Sequence, residues 1–148
     1  MRTTLILAAA AALCACGESR PVAGGSSNGI CPAGIEATFS SINQRLFQVT
    51  CTACHSGAQA SSSGGLDLSG DPFGRLVNVP AQNIQGSAVL SRVAPGDPDG
   101  SLLYQKLLIG ATRSPQFGEG MPLGAPGTVC QQTRDAIRSW ILAGALDN

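Results

Sequence analysis

Histidine is almost absent from this chain of 148 residues: His55 is the only one. Two imidazole ligands from one copy of the chain to any metal are therefore excluded. Lysine is as scarce, with Lys106 alone. Charged residues make up 12% of the chain, and nine basic against nine acidic side chains leave a formal net charge of zero. That balance excludes the broad cationic field that nucleic-acid or strong membrane-surface binding draws on. The longest apolar run, Leu5 to Leu13, is too short to cross a bilayer as a helix. Internal repeats are missing, as are a nucleophile, base and orienter arrangement and a phosphate-binding glycine loop. No convincing period-two strand exceeds Val89 to Val93, which leaves an all-α chain as the expectation.

What is present begins at the N-terminus. Arg2 precedes the Leu5 to Leu13 run, the order of a secretory signal. The closing residues Leu13-Cys14-Ala15-Cys16 resemble a bacterial lipoprotein lipobox, which implies lipidation of Cys16 after cleavage before it. The alternative is an ordinary cleaved signal with release into the periplasm. Residues 1–15 then form the signal peptide and 16–30 a Gly/Ser-rich flexible tether. Residues 31–148 suffice for one domain with a modest core.

Cys51-Thr52-Ala53-Cys54-His55 reads Cys-X-X-Cys-His, the attachment pattern of a c-type haem. Two thiols three positions apart each add to a vinyl group of one porphyrin, and the following imidazole reaches the iron. One such motif implies one covalent haem c. Of six cysteines, Cys14 leaves with the signal, Cys16 takes lipid, and Cys51 and Cys54 take haem. Cys31 and Cys130 remain, and in an exported, oxidising setting they are read as a disulfide, with two buried thiols as the alternative. A structural zinc site from Cys31, Cys51, Cys54 and Cys130 is chemically possible but leaves His55 without a role. A thioredoxin-like redox pair would need a βαβ pattern that the flanking sequence does not carry.

Ile35, Phe39, Ile42, Leu46 and Val49 fall at helical spacing and run directly into the motif. Val129, Thr133, Ile137, Trp140 and Ile141 form a second stripe starting near Thr128, with Gly144 as its stop. Asp71-Pro72 opens a short helix to about Asn78, and Asp97-Pro98-Asp99-Gly100-Ser101 opens another to about Ile109. Ser61-Ser62-Ser63-Gly64-Gly65 reads as a local mobile loop.

A helix entering Cys51-Thr52-Ala53-Cys54-His55, a loop-rich middle, Gly120-Met121-Pro122 and a closing amphipathic helix together resemble the class I cytochrome c fold. Gly64-Gly65-Leu66-Asp67-Leu68, Ala94-Pro95-Gly96-Asp97-Pro98 and Ser101-Leu102-Leu103-Tyr104 are similar to single-haem cytochrome domains common in planctomycete and myxobacterial genomes. The resemblance implies first and last helices that cross, beginning near Cys31 and Cys130. It also implies an acceptor for the ligand imidazole's second N–H, in this family often a loop carbonyl beside a proline. No proline lies between His55 and Pro72, so a carbonyl within Gly64 to Leu66 is the expected substitute.

The sixth iron ligand follows by elimination. His55 is used, Met1 leaves with the signal and Lys106 sits inside an expected helix, so Met121 remains, flanked by Gly118, Gly120 and Gly124 that would let the backbone approach a flat porphyrin. If Met121 is instead a core methionine, the iron keeps an open position. Trp140 and Tyr104 are read as core residues rather than haem neighbours. Arg75, Arg92 and Arg113 are propionate candidates, each read first as a solvated surface arginine. Two protein ligands imply an electron carrier rather than an enzyme, a monomer docking transiently with a redox donor and acceptor. The alternative is a peroxidase-like or gas-binding haem protein. Cys16→Ala should send the protein to the soluble fraction or leave it unprocessed, read by membrane fractionation, because several acyl chains are what holds such a protein to a bilayer.

Overall fold

A computed structural model describes residues 29–82, 90–110 and 114–148. The signal, Cys14, Cys16, the tether through Asn28 and Arg113 lie outside the described residues. Among these described residues four α-helices carry the fold: α1 (Phe39–Ile42), α2 (Pro72–Leu76), α3 (Leu102–Leu108) and α4 (Gln131–Leu142). Among the described residues there is no sheet, only isolated bridges.

The first helical stripe forms in a modified way. Thr38 caps α1 by accepting from the Ser41 N–H at 3.3 Å. After one turn the chain widens into a π-helical segment, Asn43–Phe47. A π turn inserts extra arc, so the inward face slips by about one residue. Leu46 and Phe47 are both buried, whereas Val49, expected on that face, is 56% exposed. Ile35 reaches the core from ahead of the helix.

The second stripe folds as its spacing indicates. Thr133, Ile137, Trp140 and Ile141 are all buried on one side of α4 and Val129 just ahead of it, the helix starting at Gln131 rather than near Thr128. The helix closes with Gly144 at φ 99°, its N–H bonded to Ile141 O and that of Ala145 to Trp140 O, the paired bonds of a Schellman ending. Trp140 packs tilted against Phe39 of α1 with ring centroids 5.8 Å apart and donates to Leu146 O, and it is buried in the core. Tyr104 is buried likewise. Asn148 reinforces the α1–α4 contact: its side chain accepts from Phe39 N–H and its backbone carbonyl from Ser40 N–H.

The shorter helices start where capping residues put them. The Asp71 carboxylate takes the Gly74 N–H at 2.9 Å and Pro72 fills the first position, but α2 stops at Leu76 rather than Asn78. Asn78 has φ 57° and turns the chain so that its N–H meets Val93 O. Ahead of α3, Asp97 accepts from Gly100 N–H and the buried Ser101 hydroxyl donates to Asp97 O at 2.7 Å. The serine run is no open loop: Gly57–Ser62 is a 3-10 segment in which Ser61 and Ser62 donate to the carbonyls of Ala58 and Gln59.

A bridge between Ile30 and Val129 joins the two ends of the domain, with Ile30 N–H bonded to Thr128 O and Cys130 N–H to Ile30 O. Gly29 leaves room for it, since a Cβ there would stand 2.8 Å from Thr128 O. The bridge sets Cys31 and Cys130 with Cα atoms 5.4 Å apart, inside disulfide reach. A bond closing a loop of 99 residues contributes about 4 to 5 kcal/mol in the chain-entropy model. Replacing both cysteines by alanine should lower the denaturation midpoint accordingly, and should abolish any difference between reduced and non-reduced protein in the same titration.

Candidate haem site

Cys51, Cys54 and His55 sit on one tight turn. Cys51–Ala53 is a 3-10 turn whose first carbonyl, Cys51 O, accepts from both the Cys54 and the His55 N–H at 3.2 and 2.9 Å. In 3-10 geometry residues three apart eclipse, so both cysteine side chains project from the same side of the turn. The Thr52 hydroxyl ties the turn to the end of the preceding helical segment through Gln48 O. Cys51 packs against the apolar core. Burial pushes its thiol up to about 12, and the neighbouring Cys54 adds to the rise. A redox dithiol needs the opposite shift to be reactive. Four-cysteine zinc is not assembled either: among the described residues no group of three or more His, Cys, Asp and Glu converges, and Cys31 and Cys130 belong to their own pair.

The chain folds back over the motif. Ser63 donates its hydroxyl to Cys54 O, Leu68 N–H meets His55 O at 2.8 Å, and His55 Nδ1 lies 3.2 Å from Leu66 O. A carbonyl only accepts, so the bond requires the proton on Nδ1 and leaves the Nε2 lone pair for a metal. Leu66 falls within the stretch expected to replace the family's proline-loop carbonyl. Burial holds the imidazole below its ordinary pKa; the Leu66 bond opposes this, and the positive charges of Arg92 and Lys106 reinforce it. A neutral ring with the correct tautomer is the form that ligates iron. The donor set therefore fits a c-type haem: two thiols on one side of a turn and an oriented imidazole beside them.

Met121 is half-buried against the same apolar cluster that Cys51 and Leu66 border. Helix α3 holds its segment twice through one residue: Lys106 O accepts from Met121 N–H at 2.9 Å, and Lys106 Nζ donates to Glu119 O at 2.8 Å. Lys106 is also one of the two cations whose charge reaches His55. Gly120 is buried against protein, and a Cβ there would stand 2.6 Å from Ile109 O and 2.9 Å from Pro126 Cβ.

Arg92 departs from the surface reading. It is 7% exposed, with Nη1 donating to Arg75 O and Nη2 to both Gly64 O and Gly65 O. Arg75 itself is exposed. Nothing in the local sequence marks Arg92 as buried, because its position is set by pairings with residues 79 and 103, distant in the chain. Comparison with family models, with curated proteins and with solved structures found no match.

Gly120→Ala should destabilise the protein by about 1 to 3 kcal/mol, because the added methyl meets backbone that cannot yield. Gly70→Ala, with nothing within 4 Å of its Cβ, should be near neutral. Thermal unfolding of the two variants side by side measures the difference.

Proposed function

We propose that this protein is an exported, lipid-anchored electron carrier with the class I cytochrome c fold, holding one covalent haem c. The observation that carries the proposal is the His55 Nδ1 bond to Leu66 O, which leaves Nε2 available immediately after two co-facing thiols. Haem c supplies, when bound, an iron centre that alternates between ferric and ferrous states. Cys51 and Cys54 would tether it, and His55 and Met121 would ligate the iron. A thioether favours ferrous iron, so Met121 would set a higher potential than a harder ligand.

Each remaining feature of the chain has a task under this reading. Leu66 O keeps the imidazole in one orientation and tautomer. The two bonds from Lys106 keep residues 119–121 in place, so the iron would change oxidation state with little rearrangement of its ligands. The near-neutral charge balance suits brief docking with redox partners without strong steering. Cys16 would anchor the domain at the cell envelope through its tether. With His55 and Met121 both holding the iron, no position would remain for a substrate, which would separate a carrier from a haem enzyme or sensor.

Matured in a host with cytochrome c assembly machinery, the protein should keep its colour through acid-acetone extraction. The ferric form should show the weak far-red band of methionine sulfur on iron. Met121→Ala should abolish that band, lower the potential and admit cyanide. Free extraction of haem would overturn the cofactor assignment. A native high-spin iron that turns over peroxide rapidly would replace the carrier with an enzyme.

A further inference from the structure

Arg92 is the one arginine of the described chain that is buried, and its side-chain acceptors are three neutral carbonyls, those of Gly64, Gly65 and Arg75. Burying a guanidinium is costly unless its N–H groups are met, and a planar fork meets several carbonyls at fixed angles where an ammonium cannot. Gly64 and Gly65 have φ of 70° and 66°. Two successive left-handed residues turn adjacent carbonyls toward one donor, a conformation that side chains disfavour. The very next carbonyl is Leu66 O, the partner of His55 Nδ1.

Arg92 is itself held rigidly. Its N–H bonds to Val79 O at 2.7 Å, its carbonyl accepts from Leu103 N–H at the start of α3, and the flanking residues Ser91 and Val93 bridge to Pro80, Ser101 and Val77. Arg92 therefore joins the α3 entrance to the loop over the motif.

The geometry points to Arg92 as a positioning residue for the haem ligand: its guanidinium fixes the Gly64–Gly65 turn, and the turn aims Leu66 O at His55 Nδ1–H. This rests on the reading of His55 as an iron ligand. A hydrogen bond from Nδ1–H to a carbonyl makes the imidazole a stronger donor and so favours ferric iron. Loosening the turn while keeping a positive charge should therefore raise the potential.

Arg92→Lys makes that change, since it retains the charge and loses the fork. In the haem-loaded protein the potential should rise, and exchange of the His55 ring N–H, followed by NMR, should become about five- to tenfold faster, the range expected for losing one modest hydrogen bond. Arg45→Lys removes an arginine bond to a carbonyl elsewhere, Ala33 O, and should leave both readouts unchanged. Should Arg92→Lys fail to assemble, Arg92→Gln replaces it and is read by ring N–H exchange alone, because loss of the charge moves the potential the other way. Haem present with unchanged exchange and potential would overturn the role of Arg92 and leave the carrier reading intact. Wild-type protein without covalent haem would overturn both.

Discussion

The contact between the first and last helices is the constraint on which the other elements depend. Phe39 meets Trp140 at 5.8 Å and Phe73 at 5.1 Å, so one ring joins α1, α2 and α4. Each aromatic ring buries a large apolar area, so in a chain with six aromatic residues this cluster holds several elements with few side chains. Polar contacts then fix the register of the helices: Asn148 meets the open N–H groups at the start of α1, and the Ile30–Val129 bridge closes the opposite side. Without that closure, Cys31 and Cys130 would have no reason to meet across 99 residues.

The candidate site lies outside this frame and is organised by main-chain carbonyls. Cys51 O, Cys54 O, His55 O and Leu66 O each accept from the motif or its covering loop, and Gly64 O and Gly65 O turn to Arg92. Short helices and bridges leave many carbonyls without a ladder partner, and buried ones must be paired. The same shortage of regular structure that makes the middle of the chain look like loops thus supplies acceptors for orienting side chains.

What the sequence revealed follows from how local each signal is. The α4 stripe and its Gly144 ending need only helical spacing and a left-handed residue, and both are present. Asp71 with Pro72 works for the same reason. The π turn after Ile42 could not be read, since nothing in Asn43–Phe47 distinguishes it from an α-helix and the shift appears only in the exchange of Val49 for Phe47 in the core. The lack of proline between His55 and Pro72 brackets Leu66, a chemical rather than a conformational argument. The burial of Arg92 is not legible, because it depends on carbonyls brought together from residues 64, 65 and 75.

The ionisation of His55 shows how these pieces act on one atom. Hydrogen bonding to Leu66 O stabilises the protonated ring and would, alone, raise its pKa. Burial and the charges of Arg92 and Lys106 act the other way, with burial the largest contribution, and the net direction is downward. The bond that selects the tautomer therefore does not keep the second proton, and the ring stays neutral to lower pH than an exposed histidine would. Under the proposed ligation this is a strict requirement, because the chain has no other imidazole. The charge of Arg92 serves it by disfavouring imidazolium, while the Leu66 carbonyl, next to the turn that Arg92 bonds, acts in the opposite sense. Lys106 couples the same charge effect to the segment that carries Met121.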